Sequence, residues 1–370
     1  MASTFSTAGK IISGRGALDA LTPTVAELGR TALLITGRRA MRQSGLTDRA
    51  VRALEAAGCG VALYERVPPE PTLACVDAAR RVCRQGEADV VVGMGGGSAI
   101  DVAKAVGGLA HAEADTAAFY AGEALPDRAL PIVAIPTTAG TGAEVTRNSV
   151  LADPDGPTKQ SIRGDGLMPA VAIVDPDLTV SMPPDVTARS GMDALTQAIE
   201  SYWSIHAMPT TEALALHAIE LISGHLVTAY QTGSDLPARE AVMYGSLMAG
   251  MAFANSRLGA VHGLAHPLGI RYHVAHGEVC AILLPHVMRL NRQAAPDKYD
   301  RISHVVGGDA ADVAAGLLIK LGLPTTLAHV GLLRADFEAI VAESMPSGSL
   351  KANPKPVTEA DLMTILDALS

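Results

Sequence analysis

Between Thr31 and Asp175 the chain alternates short apolar runs with helical patterns, a rhythm that restricts it to βαβ units around a mainly parallel sheet. Residues 31–36, 61–64, 88–94, 131–136 and 171–175 read as strands, and residues 46–57, 72–84 and 99–107 as helices between them. The texture changes after Asp177. Met182-Pro183-Pro184 is a breaker with a helix start behind it. Helical periodicity then runs through 188–204, 210–231 and 238–254 and on towards Ala368. A boundary near Ser181 to Asp185 therefore divides an α/β domain, residues 1–182, from an all-α domain, residues 183–370. Two domains suit the length, because 370 residues exceed the size at which one core usually keeps growing.

Hydrophobic residues make up 48% of the chain and charged residues 18%, which is enough apolar material for two cores. Aromatic residues are only 3%, so those cores must be built from Ala, Val, Leu, Ile and Met. A net charge of -9 argues against a general nucleic-acid binder, which would show a basic face. Cys59, Cys75, Cys83 and Cys280 have no zinc-type CxxC spacing and are too few for a disulfide framework, so a reducing cytoplasm is expected. The N-terminus lacks the basic and apolar regions of a secretory signal. No apolar stretch reads as long enough to span a bilayer, so no membrane partner is expected.

One strand runs straight into Gly95-Gly96-Gly97-Ser98 and a new helix. Glycines let the backbone approach an anion, and the amides at a helix N-terminus favour negative charge, so this arrangement suits phosphate. It matches neither GxGxxG nor GxxxxGK[ST], and it also reads as a tight structural turn. Asp101, in the first helical turn, is either a helix-dipole partner or a ligand to a cofactor hydroxyl or amide. The segment from Pro136 to Glu144 begins at the end of another strand, on the edge where open α/β sheets bind ligands. Its hydroxyls and small residues suit ribose and phosphate, or a plain Thr/Gly loop.

In the C-terminal half, His262 and His266 stand four apart and share a face if helical, while His276 must return from a following turn after His273. Upstream, Asp193 and Gln197 share a helical face by the same rule. A carboxylate from one helix and imidazoles from another suit a divalent metal; any one of these histidines also reads as a hydrogen-bonded structural residue.

Four segments, Gly95 to Lys104, Pro136 to Gly142, Gly191 to Leu195 and His262 to Gly269, follow in order along nearly the whole chain. Together they resemble the iron-containing, or group III, alcohol dehydrogenase family. The resemblance implies a dehydroquinate-synthase-like fold, with an α/β nucleotide-binding domain followed by an all-α domain for metal and substrate. It also implies NAD(P)-dependent interconversion of an alcohol and a carbonyl compound, and a homodimer. Gly96, Gly97 and Ser98 then hold the pyrophosphate beside Gly95, and Asp101 lies close to the nicotinamide. Thr137, Thr138 and Thr141 line the cofactor channel, and Lys159 reaches the cofactor ribose. Asp193, His262 and His276 match metal ligands, and His266 matches a histidine held near the substrate as a proton carrier.

Two positions carry further information. The family's fourth ligand is a histidine four residues after the aspartate, and here that position is Gln197. A neutral amide oxygen is a harder donor than imidazole, which weakens a soft or borderline ion and relatively favours an oxygen-preferring one. Iron, zinc or another divalent ion is expected. The similar glycerol dehydrogenases use zinc on an Asp/His/His set, and the similar maleylacetate reductases use no metal. Thr36-Gly37-Arg38-Arg39 stands where NAD-preferring relatives often carry an aspartate for the ribose 2′-hydroxyl. Gly37 removes that carboxylate, and Arg38 or Arg39 can meet a 2′-phosphate or lie solvated, which leans the expectation from NAD towards NADP.

The expected reaction is hydride transfer between the nicotinamide and a carbonyl carbon whose oxygen a metal polarises, with the proton carried by His266, His273 or water. Without a metal, the same histidines would donate hydrogen bonds to the oxyanion. An NAD-using cyclase of the dehydroquinate synthase kind and a non-catalytic nucleotide- or metal-binding protein are the rival readings. Arg257 and Arg271 would favour an anionic substrate, or serve as salt-bridge residues.

Overall fold

The computed structural model describes residues 3–153 and 159–370. Its strands are β1 (Lys10–Ser13), β2 (Thr31–Gly37), β3 (Gly60–Val67), β4 (Val90–Gly95), β5 (Ile132–Pro136), β6 (Asn148–Ala152), β7 (Lys159–Arg163) and β8 (Val171–Val174). Six of them form one parallel sheet in the order β1-β8-β5-β4-β2-β3, and β6 and β7 pair separately as an antiparallel hairpin. Helices α1 (Leu21–Leu28), α2 (Ala40–Gln43), α3 (Leu46–Ala56), α4 (Leu73–Gln85), α5 (Gly97–Gly108) and α6 (Thr116–Tyr120) complete this α/β unit, which comprises Thr7–Thr138 and Ala143–Ser181.

Successive strand side chains point to opposite faces. Leu33, Ile35 and Val91 join Val76, Ala79 and Val102 of α4 and α5 on one side. Ala32, Leu34, Val92 and Met94 join Val25, Ala50 and Leu54 of α1 and α3 on the other. With both faces covered, the strands appear in sequence as unbroken apolar runs.

The strand register determines where a ligand can sit. Thr36 pairs with Met94, and Gly95 with Pro136, so β2, β4 and β5 end in line. The loops beginning at Gly37, Gly96 and Thr137 leave that common edge. From β2 the chain passes to β3 at the sheet margin, whereas β4 leads the opposite way to β5, so the topology switches direction between β2 and β4.

The second unit comprises Ala139–Gly142 and Met182–Ser370 with the N-terminal residues to Ser6. It is built from α7 (Pro184–Trp203), α8 (Pro209–Gln231), α9 (Leu236–Ser256), α10 (Ala260–Tyr272), α11 (His276–Asn291), α12 (Pro296–Val306), α13 (Ala310–Lys320), α14 (Phe337–Ser344) and α15 (Glu359–Leu369). Helices α7, α8 and α9 pack on one another, and α11 packs against α7 and α10. The loop Ala139–Gly142 is held close: a Cβ placed on Gly140 would lie 2.6 Å from Ser190 Cβ.

One expectation needs correction. By length and composition α8 could cross a bilayer, because its apolar residues run longer than the sequence reading allowed. Its buried residues, including Thr211, Ala215, Ala218, Ile222 and Leu226, recur at helical spacing, while His217, Glu220 and His225 are exposed. That is the pattern of a bundle helix.

Candidate active site

On α7, Asp193, Gln197 and Glu200 recur at i, i+4 and i+7 and share one face. Their exposures are 5%, 4% and 0%, and buried polar groups of this kind require partners. His262, near the start of α10, supplies one: its Nδ1 donates to Glu200 Oε2 at 2.6 Å, and the Val261 N–H donates to Glu200 Oε1 at 2.6 Å. Pinned through Nδ1, the ring presents Nε2 to Asp193 Oδ1 at 3.4 Å.

His276 opens α11, and its Nε2 lies 3.8 Å from the same Asp193 oxygen. The approach depends on the next residue. A Cβ placed on Gly277 would lie 2.3 Å from Arg189 O and 3.3 Å from Asp193 Cβ, so only glycine lets α11 begin this close to α7. One turn further along α11, Cys280 Sγ lies 3.6 Å from His276 Nε2 and 3.9 Å from His262 Nε2. Donor atoms of Asp193, His262, His276 and Cys280 all fall within 4.8 Å of one another. The half-buried His266 stacks on His276, with ring centroids 5.1 Å apart and planes 20° apart.

These residues fit a divalent metal. Asp193 Oδ1 is buried and takes no close hydrogen bond from a described residue, facing instead His262 Nε2 at 3.4 Å and His276 Nε2 at 3.8 Å, an arrangement of donors that a cation among them would satisfy. A carboxylate, two imidazoles and a sulfur are also donors that zinc and similar ions accept. Gln197 stands beside the set: its Nε2 donates to Asp193 Oδ2 at 3.1 Å, and its Oε1 receives no hydrogen bond from a described residue.

Charge in this cluster is strongly coupled. Burial pushes the Asp193 carboxyl up, but His262, His276 and Cys280 together hold it below the ordinary carboxylate value. Burial pulls the His262 imidazole down, yet Cys280, Glu200 and Asp193 raise it well above its usual range. Burial pushes the Cys280 thiol up to about 12. A metal entering here competes with protons.

His273 lies apart in kind: it is the exposed C-cap of α10, in the left-handed conformation with φ 54. The Arg271 guanidinium pairs with Glu343 at 2.7 Å and Asp336 at 3.7 Å, as a salt-bridge residue would.

At the sheet edge, Gly95 ends β4 with φ 151, and a Cβ there would lie 2.9 Å from Ala99 Cβ, so the turn into α5 needs glycine. Gly96 is the N-cap of α5, Gly97 its first residue, and Ser98 Oγ donates to Pro69 O at 2.5 Å. The Thr137 N–H donates to Gly95 O at 2.9 Å, and Thr138 Oγ1 lies 3.5 Å from a Cβ placed on Gly96, which joins the two loops. Thr141 belongs to the helical unit and is exposed. Arg38 Nε donates to Arg66 O at 3.1 Å, Arg39 is exposed, and a Cβ placed on Gly37 would meet nothing nearer than Val67 O at 4.0 Å. The Lys159 backbone opens β7, and its side chain lies outside the described residues.

Asp101 is committed within the α/β unit. It pairs with fully buried Lys104 at 2.8 Å and accepts from the Val150 N–H at 3.1 Å, while Lys104 donates to Ala143 O and Thr146 Oγ1. Burial pushes the Asp101 carboxyl up despite Lys104 and the Val150 N–H.

Sequence reasoning missed two members of the helical cluster. Glu200 stands seven residues after Asp193 and Cys280 four after His276, so helical spacing carried both signals.

Comparison with known proteins agrees with this geometry. A model described as iron-containing alcohol dehydrogenase matches residues 8–176, and one described as Fe-containing alcohol dehydrogenase family, C-terminal, matches residues 187–370. Long-chain-alcohol dehydrogenase 1 of Geobacillus thermodenitrificans is 40% identical, over 96% of this chain and 93% of its own. Among solved structures, 1,3-propanediol oxidoreductase superposes with a TM-score of 0.96 at 36% identity, covering 100% of both chains. Sulfoacetaldehyde reductase from Bifidobacterium kashiwanohense, in complex with NAD+, gives 0.94 at 32% identity, covering 100% of this chain and 99% of that one. The chain therefore belongs to the iron-containing alcohol dehydrogenase family, and is an oxidoreductase that interconverts an alcohol and a carbonyl compound with NAD(P) and a metal.

Proposed function

We propose that residues 1–182 bind the dinucleotide and residues 183–370 hold the metal and substrate. Gly95, Gly96, Gly97 and Ser98 cradle the pyrophosphate at the start of α5, Thr137 and Thr138 flank it, and Thr141 and Lys159 contribute further cofactor contacts. Asp101, the fifth residue of α5 rather than part of its first turn, is tied to Lys104 and the Val150 N–H and braces the helix close to the nicotinamide. Asp193, His262 and His276 hold the metal, with Gln197 beside them. When bound, the nicotinamide exchanges the hydride and the metal polarises the carbonyl oxygen. His266, stacked on His276, carries the proton at the substrate oxygen, and exposed His273 is the second candidate for that role. Glu200 keeps His262 Nε2 turned towards Asp193.

The observation that carries this reading is the buried Asp193 Oδ1, without a close hydrogen bond, where two imidazole nitrogens converge. The open space at Gly37 beside Arg38 and Arg39 supports NADP over NAD. An anionic carbonyl compound is included among the substrates, on the strength of exposed Arg257 and the relative named for sulfoacetaldehyde. A homodimer is part of the same reading; exposed Ile205, Ile319 and Leu333 are apolar surface for it to cover. Four free cysteines suit a reducing cytoplasm.

Two variants test the division of labour. Asp193→Ala should lose bound divalent metal and most carbonyl reduction while still binding nucleotide. Gly96→Asp should repel the pyrophosphate while keeping the metal content of the wild type. Active wild-type protein containing no metal would overturn the metal assignment.

A further inference from the structure

We propose that Cys280 is the fourth ligand of the metal centre, supplying a sulfur where the family pattern has a histidine at the position of Gln197. The proposal rests on the reading that Asp193, His262 and His276 hold the metal. It makes the site an Asp/His/His/Cys set suited to zinc or another thiophilic divalent ion.

Distances between donor atoms carry the argument. A tetrahedron with bonds of about 2.05 Å to nitrogen, 2.1 Å to oxygen and 2.3 Å to sulfur has nitrogen–oxygen edges of about 3.4 Å and nitrogen–sulfur edges of about 3.6 Å. The nitrogen–oxygen separations here are 3.4 and 3.8 Å, from His262 and His276 to Asp193 Oδ1. The nitrogen–sulfur separations are 3.6 and 3.9 Å, from His276 and His262 to Cys280 Sγ. Sulfur therefore stands at the fourth corner of a site whose other three corners are the two imidazoles and the buried carboxylate oxygen. Helix geometry explains the placement: Cys280 follows His276 by four residues on α11, so both face the same way.

Gln197 has a different task. Its nitrogen donates to Asp193 Oδ2, which occupies the second carboxylate oxygen and leaves Oδ1 as the one turned to the histidines. It acts as a positioning residue for Asp193. The substitution at 197 and the thiol at 280 thus complement each other: the donor lost from α7 is regained from α11.

Cobalt(II) is the probe. Full-length apoprotein loaded with cobalt should show a near-ultraviolet thiolate-to-metal charge-transfer band. Gln197→Ala should keep the band, with affinity reduced by about 10- to 100-fold through loss of an outer partner. Cys280→Ser should abolish it. X-ray absorption of zinc-loaded wild type, which needs no variant to fold, should find one sulfur at about 2.3 Å. A shell of nitrogen and oxygen alone, or a band that survives Cys280→Ser, would overturn the proposal. Stoichiometric cobalt that is lost in Asp193→Ala but never shows the band refutes the sulfur ligand and leaves the three-residue site intact. Failure of wild type to bind cobalt or zinc at all refutes both readings.

Discussion

Glu200 and His262, on different helices and both buried, meet at 2.6 Å, and the carboxylate also takes the Val261 N–H that precedes the imidazole. One side chain therefore orients the ring and anchors the first turn of the helix that carries it. Glu200→Gln keeps the volume but weakens the grip on Nδ1, and should lower metal affinity by about 10- to 100-fold. Competition with a chelator measures the loss, and an unchanged affinity would show that His262 is oriented by packing alone.

NADPH should outperform NADH in kcat/KM, because Gly37 offers no carboxylate to the ribose and Arg38 and Arg39 adjoin it. Gly37→Asp has room to be accommodated, the nearest atom to a Cβ there being Val67 O at 4.0 Å. Loss of a charge-assisted contact is worth about 1.5 to 3 kcal/mol, so the ratio of the two cofactors should shift by at least about tenfold. Steady-state kinetics with both cofactors decide it, and a wild type that prefers NADH would mean the arginines serve only the surface.

Glu144 is 3% exposed, and burial pushes its carboxyl up to about 7 against the pull of its own N–H and Lys104. The folded form thus keeps a proton that the unfolded chain releases near the ordinary value of 4.5. Its stabilising contribution is full below that value and fades as pH rises through about 7, by about 3 kcal/mol in all. Urea midpoints of wild type should fall between about pH 5 and about pH 8, and Glu144→Gln should flatten most of that slope. Identical slopes in the two proteins would count against this.

Lys104 is fully buried, with Asp101 at 2.8 Å. Lys104→Met should cost about 3 to 5 kcal/mol, because it leaves the Asp101 carboxylate buried without its counter-charge. Chemical denaturation reports it, and Asp101→Asn in the same background should recover part of the loss. No recovery would assign the cost to Ala143 O and Thr146 Oγ1, the other acceptors of Lys104.

What could be read from the residues alone follows from where periodicity is strong. Four of the five strands expected between residues 31 and 175 lie in the sheet interior, and the fifth, β3, is a half-buried margin strand that still packs apolar residues on both faces, so their apolar runs stand out. β1 and the β6–β7 hairpin escaped notice. The first is a four-residue margin strand exposed at both ends, and the second mixes Asn148, Ser149, Lys159 and Gln160 among its apolar residues. The same contrast holds at the site. His262, His266 and His276 announce themselves by residue type. Glu200 does not, because a glutamate inside a helix ordinarily reads as a solvated charge, and Cys280 does not, because a single cysteine has no partner cysteine to set a spacing. The commitment of Asp101 to Lys104 and the Val150 N–H was hidden too, since part of it depends on a contact across 49 residues.

The absence of a side chain at Gly277 sets how closely two donors of the proposed metal centre approach each other. α11 starts flush against the main chain of α7, and the histidine immediately before the glycine reaches the aspartate of the facing helix. A methyl group there would act as a shim, widening the gap where two donors must share one ion. Every ligand would still be present, yet the gauge between them would be lost. Position 277, which contributes no donor atom, would in this sense be the calibration of the proposed metal centre.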